Sequence, residues 1–150
     1  MKTCTMLRYR SRMRTMTEAA LWQLVKRNID GHLVRVENTA GSGTPDVHAC
    51  YEGSETWIEL KLAKGNWLHF RASQISFFAK RCVWQKGKVK VLWRKADEIC
   101  LTNVTNIMSI LDSAVPLKDG SVKIPIADIA HQKFLKPWDW QKINNEVFSV

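Results

Sequence analysis

Two acids and a lysine on neighbouring segments of the chain form its clearest chemical pattern. Asp46 ends the run Thr44-Pro45-Asp46, and Glu59 and Lys61 follow a short way downstream. Successive side chains of a strand point to opposite faces, so Glu59 and Lys61 share one face if this segment is a strand. If Asp46 begins the preceding strand of a hairpin, its carboxylate lies beside them. Such a group would bind a hard divalent cation and could support metal-assisted hydrolysis of phosphodiesters.

The alternative explanation is a solvent-facing Glu/Lys pair on a strand, with Pro-Asp as a turn dipeptide. Trp57 would share the face of Glu59 and Lys61, while Leu60 and Leu62 make the opposite face apolar. The strand therefore looks covered on both sides. Charges placed there need partners, because burial of an unpaired charge is costly. A bound metal ion would supply one.

The order Pro45-Asp46, then Glu59-x-Lys61, resembles the PD-(D/E)XK nuclease superfamily over roughly residues 15–95, with Glu18 as the usual additional acid. The glycine-rich run 40–44 and Ser73-Gln74 look most like the VRR-NUC and Holliday-junction-resolvase-like branches. This resemblance implies an α/β (α+β) fold with a restriction-endonuclease-like core. It further implies a central mixed sheet of about four to five strands flanked by helices, in the order αβββαβ.

The resemblance also implies roles for individual residues. Mg²⁺, or Mn²⁺ in its place, would be held by Asp46, Glu59 and the backbone carbonyl of Leu60, with Glu18 holding a second ion or an outer-shell water. A lysine beside two carboxylates keeps its proton, so we expect Lys61 to orient the attacking water and stabilise charge at the phosphorus. Gln74 is either the glutamine that several branches place near the scissile phosphate or an ordinary polar residue at a helix start.

The elements that must position these residues can be predicted from local patterns. Thr15-x-x-Glu18 has the form of a capping box for a helix over residues 16–28, so Glu18 is either a capping carboxylate or an acid facing the sheet. Strands over 32–38, 46–52 and 56–62 predict an antiparallel meander. A helix over 74–85, capped by Ser73 with Ile75, Phe78, Ala79 and Cys82 as its buried stripe, leads to a fourth strand at 89–93. That crossover makes the third and fourth strands parallel.

The pattern weakens after residue 95. It predicts a short strand at 99–101, a helix at 104–111, a strand at 122–126 and a short helix at 127–135. Trp138 and Trp140 form an aromatic segment that is more typical of a packing lid or a subunit contact than of a base-stacking platform. We therefore expect one domain, with a basic arm at 1–14, a catalytic core at 15–95 and an extension at 96–150.

The charge balance favours a polyanionic partner. The chain has 23 Lys and Arg against 14 Asp and Glu, a net charge of +9 and a pI near 9.6. DNA, branched or otherwise structured, is the expected partner, and symmetric cutting of two strands by so small a chain implies a homodimer.

Individual residues are also assigned to this partner. His48 is assigned either a role at the site or ordinary edge hydrogen bonding. The residues predicted to bind nucleic acid are Arg10, Arg12, Arg14, Ser42, Thr44, Lys64, His69, Arg71, Lys80 and Arg81.

Other features narrow the class of protein. Cys4, Cys50, Cys82 and Cys100 lack the spacing of a zinc site, and we expect Cys50 and Cys82 to be reduced core residues. No apolar run is long enough to span a membrane, and the basic N-terminus lacks an apolar signal region, so a soluble, cytoplasmic protein is expected. Two other functions remain open: a catalytically inactive nucleic-acid-binding protein of the same fold, and an assembly protein with a basic surface.

Overall fold

The computed structural model describes residues 16–37, 43–85 and 87–150. Its described part contains a six-stranded sheet, a three-stranded sheet and four α-helices. The helices are α1 (Glu18–Asn28), α2 (Ala72–Trp84), α3 (Val104–Met108) and α4 (Trp140–Phe148). The strands are β1 (His32–Arg35), β2 (Val47–Tyr51), β3 (Ser54–Leu62), β4 (Trp67–Phe70), β5 (Val89–Lys95), β6 (Glu98–Asn103), β7 (Val115–Pro116), β8 (Val122–Pro125) and β9 (Gln132–Phe134).

The larger sheet is mixed, as predicted. Its order is β1-β2-β3-β5-β6-β9, and the first three strands form the expected antiparallel meander. The crossover through α2 makes β3 and β5 parallel, with Glu59 opposite Val91. The order αβββαβ is therefore confirmed, with β4 inserted before α2. The sheet has six strands rather than four to five because β6 and β9 extend it beyond β5.

The N-terminal cap of α1 differs from the prediction. Thr17 Oγ1 accepts a hydrogen bond from the Ala20 backbone N–H at 3.1 Å, so Thr17 is the cap and Glu18 is the first helical residue. The capping-box assignment of Glu18 to the third helical position is wrong, because the hydroxyl of Thr17 satisfies the first turn. Thr15 lies outside the described residues. Leu21, Trp22 and Val25 form the buried face of the helix.

The start of α2 also differs. The helix begins at Ala72 with Arg71 as its cap residue, so the Ser73 cap is wrong. The Arg71 backbone N–H donates to Gln74 Oε1 at 2.9 Å, which ties the side chain of Gln74 to the helix start.

The buried face of α2 is narrower than predicted. Gln74 and Phe78 are its buried residues, four positions apart on one face. The prediction that Ala79 is buried is wrong because this face turns it outward, and Ile75 and Cys82 are only partly buried.

Two apolar clusters cover the central strands from opposite sides. One cluster packs α1 and α4 against Ile58 and Leu60 of β3. The other contains Phe78 of α2, Trp93 of β5 and Ile124 of β8. Because the middle of β3 and the start of β5 are covered on both faces, Glu59 and Lys90 are buried there, whereas Glu55 near the start of β3 is exposed. The expectation that β3 is a covered strand is confirmed.

The second half of the chain needs several corrections. Residues 67–71, between the predicted third strand and second helix, show no strand pattern and were expected to be an irregular connection; instead residues 67–70 form β4, which pairs with β8 in the three-stranded sheet. The helix predicted at 127–135 is instead a 3-10 turn, Ile126–Asp128, followed by strand β9 against β6. Helix α3 ends at Met108, three residues before the predicted end. Helix α4 was not predicted, although the Asp139 carboxylate caps it by accepting from the Lys142 N–H at 3.1 Å.

The aromatic segment packs against the protein itself. Trp138 and Trp140 contact the cluster beneath α1 and α4, and the Trp138 indole N–H donates to the Asp97 carbonyl at 2.9 Å. A packing role therefore describes both residues. Cys100 is buried, whereas Cys50 and Cys82, predicted to lie in the core, are partly buried. In the described part of the chain, every helix falls short of the length and apolar character that crossing a bilayer requires.

Candidate active site

A single cavity collects the residues that the sequence assigns to catalysis. It has a volume of about 470 Å³ and lies where β3, β4 and the first turn of α2 meet. Side chains from four separate parts of the fold reach it, so the predicted convergence is observed in space. The five predicted catalytic residues that line it are Glu18, Asp46, Glu59, Lys61 and Gln74.

Asp46 is fixed by the backbone of the neighbouring strand. It lies directly before β2, and its Oδ2 accepts a hydrogen bond from the Leu60 backbone N–H at 2.9 Å. The antiparallel register places Val47 opposite Ile58, which brings the Asp46 carboxylate beside the middle of β3. The carboxylate and the Leu60 peptide group are therefore in contact. The bond uses the Leu60 N–H and not its carbonyl, and Leu60 is not among the residues that line the cavity.

Glu59 is the most deeply buried acid of the site, with 1% of its surface exposed. Its Oε1 accepts from the Gln74 side-chain amide and lies 3.2 Å from Lys61 Nζ. Its Oε2 is buried and has no hydrogen-bond partner among the described residues. The pKa of Glu59 is raised to about 7, because burial raises it more than the Lys61 charge lowers it, and the Asp46 charge adds to the rise. One oxygen of the Glu59 carboxylate thus has polar partners that offset its burial, and the other has none among the described residues.

Lys61 is held at the edge of the acid pair. Its Nζ donates to Gln74 Oε1 at 3.1 Å, in addition to its ion pair with Glu59. The ammonium also lies 5.1 Å from the centroid of the Phe70 ring. Gln74 therefore links the acid and the base, because its amide nitrogen meets Glu59 and its amide oxygen meets Lys61. The alternative of an ordinary polar residue at the helix start does not account for these contacts.

The donor set fits a divalent cation. Among the residues that the structure describes, no group of three or more His, Cys, Asp and Glu side chains forms a metal site by itself. Mg²⁺ needs fewer protein ligands, since it keeps several waters and commonly uses one or two carboxylates. Asp46 and the unpartnered Oε2 of Glu59 offer such a pair. Glu18 lines the same cavity from α1, but its side chain is exposed, which suits an outer position.

The predicted phosphate contacts divide into three groups. Lys64, His69 and Arg71 line the cavity. Lys80 is exposed on α2, and Arg81 packs its guanidinium 5.0 Å from the Phe77 ring centroid, so neither lines the cavity. Thr44 is partly buried and is not among the cavity residues. Arg10, Arg12, Arg14 and Ser42 lie outside the described residues.

His48 lies away from the cavity. Its ring is 4.7 Å from the Trp57 ring, and its Nε2 is 3.8 Å from the Glu55 carboxylate. Of the two alternatives for His48, the structure favours ordinary contacts on the sheet over a role at the site. The same strand therefore presents Asp46 to the cavity at its start and keeps His48 outside it.

The sequence interpretation missed one wall of the cavity. Leu117, Asp119 and Ser121, from the turn between β7 and β8, also line it. Asp119 Oδ1 accepts from the Ser121 backbone N–H at 2.9 Å, which closes the turn. Asp119-Gly120 is a recognisable turn signal, but nothing in the local sequence indicates that this turn reaches residues of β3 and β4.

Comparison of the sequence with known protein families gives no match, and neither does comparison with curated proteins. Comparison of folds finds a Holliday junction resolvase, Hjc of the archaeal hyperthermophile Archaeoglobus fulgidus. It has 16% identity, a TM-score of 0.46, and coverage of 75% of this chain and 90% of the other. It also finds a nuclease from a fusselovirus with 10% identity, a TM-score of 0.48, and coverage of 87% and 84%.

Proposed function

We propose that this chain is a metal-dependent endonuclease that hydrolyses DNA phosphodiester bonds and selects branched DNA, such as a Holliday junction. The observation that carries the proposal is the Glu59 carboxylate. Glu59 is a buried residue of the cavity wall, beside Asp46 and Lys61. One of its carboxylate oxygens has no hydrogen-bond partner among the described residues. A protein with no cation to bind there would gain stability by replacing this acid.

The proposed ligands are Asp46, Glu59 and the Leu60 carbonyl, with Glu18 in an outer position. Mg²⁺, or Mn²⁺ in its place, would lower the pKa of a bound water and neutralise charge on the phosphate. Binding requires an ionised Glu59. Since burial raises the pKa of this group to about 7, cation binding would release a proton near neutral pH.

Lys61 and Gln74 would act on the reacting groups. The Lys61 ammonium lies at the cavity and is held by Glu59 and Gln74, so it can meet negative charge that develops at the phosphorus. The hydrogen bonds of the Gln74 side-chain amide orient the side chains of Glu59 and Lys61. Lys64, His69 and Arg71 surround the same cavity and would hold the phosphates on either side of the scissile bond.

The preference for branched DNA and the homodimer are extensions of this proposal. Within the described residues, the large sheet and its helices show no helix-turn-helix unit of the kind that reads base edges, so recognition by shape is the simpler mode. Two copies related by a two-fold axis would place two cavities on one junction. Cleavage of a synthetic four-way junction would then yield symmetric cuts, whereas a linear duplex of equal length would be cut more slowly.

The test is cleavage of labelled four-way junction, duplex and single-stranded DNA, with and without Mg²⁺. Asp46→Asn keeps the size of the side chain and removes its charge, so we expect cleavage to fall by at least about a hundredfold. Asp112→Asn, at an exposed aspartate outside the cavity, is the matched control and should cut as the wild type does. Unchanged cleavage by Asp46→Asn would remove this residue from the chemistry.

The second candidate is a nucleic-acid-binding protein of this fold without catalysis. The net charge of +9 supports binding but says nothing about cleavage. Protein that retards DNA in a gel and leaves it intact with both Mg²⁺ and Mn²⁺ would favour this alternative. The complete set of acids, lysine and glutamine in the cavity favours the enzyme.

A further inference from the structure

The three-stranded sheet has one covered face and one open face. Leu68, Phe70 and Ile124 are buried in the second apolar cluster. The alternate residues Trp67, His69 and Lys123 are partly exposed. Because side chains alternate along a strand, these three form the other side of the sheet, which we call the outer face. His69 pairs directly with Lys123 across the antiparallel ladder, so their side chains are neighbours.

The outer face continues from the candidate active site. His69 is a cavity residue, and Lys64 and Arg71, which flank β4, line the cavity as well. Trp67 lies two residues before His69 on the same side of the strand, a distance of about 7 Å along the chain. A DNA strand leaving the cavity in this direction would therefore pass over Trp67 and Lys123.

The local charge along this path is positive. The pKa of His69 is lowered, first by burial and then by the charges of Lys64, Lys123 and Lys61, with Asp119 opposing them. The Asp119 carboxylate accepts hydrogen bonds from the N–H and the hydroxyl of Ser121, which engage it within its own turn. Lys64 and Lys123 therefore act on His69 more strongly than Asp119 does, and a positive charge beside this face suits a polyanion.

Lys123 is held in place by an aromatic ring. Its Nζ lies 4.3 Å from the centroid of the Trp67 ring, within the range of a cation–π contact. The ring limits the freedom of a long side chain and keeps the ammonium on the outer face. The side of the ammonium that faces away from the ring remains available to an anion, because the cation–π contact occupies only the side that faces the ring.

We propose that the outer face carries the DNA strand next to the scissile phosphate, with Lys123 as a contact to a backbone phosphate and Trp67 as its positioning residue. The partner is the sugar-phosphate backbone of DNA, and the contact carries no sequence preference. This inference rests on the proposed function and extends the site by two residues that the sequence did not indicate.

The experiment measures binding without cleavage. Fluorescence anisotropy of a labelled four-way junction in EDTA gives the Kd over a range of NaCl concentrations. Lys123→Ala should weaken binding about fivefold, equally for junctions of different sequence, and lower the slope of log Kd against log salt by about one. Lys123→Arg should restore wild-type binding. Lys142→Ala, an exposed lysine on α4, is the matched control and should change neither quantity.

The role of Trp67 is tested by substituting it both in the wild-type protein and in the Lys123→Ala variant. Trp67→Leu should weaken binding, Trp67→Phe should retain most of it, and Trp67→Leu should add nothing in the Lys123→Ala background. An added loss in that background would contradict a role that acts through Lys123. Equal affinity and salt slope for Lys123→Ala and wild type would overturn the proposal, even if the protein cuts DNA. Reduced binding without any cleavage would instead overturn the enzymatic function and leave the outer face as proposed.

Discussion

Glu59 shows how one residue links stability to function. A carboxylate with 1% exposure loses its hydration, and Lys61 and Gln74 restore contacts to only one of its oxygens. The raised pKa of Glu59 expresses this incomplete compensation. Sites that bind metal ions commonly carry such a cost in the metal-free state. We propose that a bound divalent cation offsets this cost of burial.

The first prediction concerns the metal-free protein. The pKa of Glu59 is about 7 in the folded state and 4.5 for the unperturbed group. An acid whose pKa is higher in the folded state contributes its full stabilisation below pH 4.5 and loses it as the pH rises through 7. We expect the free energy of unfolding to fall by up to about 3 kcal/mol across this window. Urea unfolding in EDTA at a series of pH values measures it.

Glu59→Gln supplies the comparison. The neutral amide should flatten the pH dependence and make the metal-free protein more stable than wild type at pH 8, while abolishing cleavage. Parallel curves for the two proteins between pH 5 and 8 would show that Glu59 does not titrate as described.

The second prediction concerns Gln74, whose amide contacts both Glu59 and Lys61. Gln74→Ala should lower the cleavage rate by about ten- to a hundredfold, the usual effect of losing a residue that orients metal ligands. Ser76→Ala, at an exposed position of the same helix, controls for changes in α2. Equal rates for wild type and Gln74→Ala would return Gln74 to the role of a helix-start residue.

At this scale the sequence predicted the acids and the lysine but not the contacts among them. Strand alternation alone puts Glu59 and Lys61 on one face, and the Pro-Asp position puts Asp46 beside them. The Gln74 contact depends on how α2 packs over β3. Local patterns contain no information about that packing, so the contacts of Gln74 with Glu59 and Lys61 could not be predicted, and its role stays a prediction.

At the scale of elements, a close contact joins the loop before β2 to the start of α2. Gly43 has φ +70°, and a Cβ at this position would overlap the Ser73 carbonyl group. The loop that leads to Asp46 therefore packs directly on the helix turn that carries Gln74. A glycine is required here by close approach as well as by its backbone conformation.

The third prediction separates these two effects. Gly43→Ala should destabilise the protein by several kcal/mol in total, because strain adds to a clash with backbone atoms. Gly53 has a similar φ of +78°, but a Cβ there would meet nothing within 4 Å, so Gly53→Ala should cost only about 1 to 2 kcal/mol. Urea unfolding measures both, and equal losses would contradict the close contact.

The predicted elements were correct where the alternation of apolar and polar residues extends over many positions of the sequence. The predicted meander and parallel crossover rest on alternation that runs through residues 32–38, 46–52 and 56–62, beyond the ends of the shorter strands β1 and β2, and the structure confirms both. Strand β4 has four residues and β9 has three, too few for a periodic signal. Their pairing with β8 and β6 determines their conformation, so tertiary contacts decided what local propensity left open.

At the scale of the whole molecule, the second sheet is the feature that sequence reading could not supply. Its strands are residues 67–70, 115–116 and 122–125, so β4 is distant in the chain from the β7–β8 pair beside it. They cover the Trp93 side of the large sheet and form one wall of the cavity. The extension after residue 95 is therefore part of the candidate active site, although the catalytic core was predicted to end there.

The fourth prediction is the assembly state. One chain has a mass of 17.3 kDa, so a homodimer would have a mass of about 35 kDa, twice that value. Sedimentation velocity on the protein alone and on its complex with a four-way junction measures the mass directly. A single chain bound to each junction would contradict symmetric cutting by a dimer and leave cleavage by a monomer.

The central claim is that a divalent cation binds between Asp46 and Glu59. Anomalous diffraction from crystals soaked in Mn²⁺ tests it most directly, because the metal is located without reference to activity. The account predicts one strong anomalous peak in contact with both carboxylates, and its loss in crystals of Asp46→Asn. Fully soaked wild-type crystals with no peak between these two side chains would contradict the account.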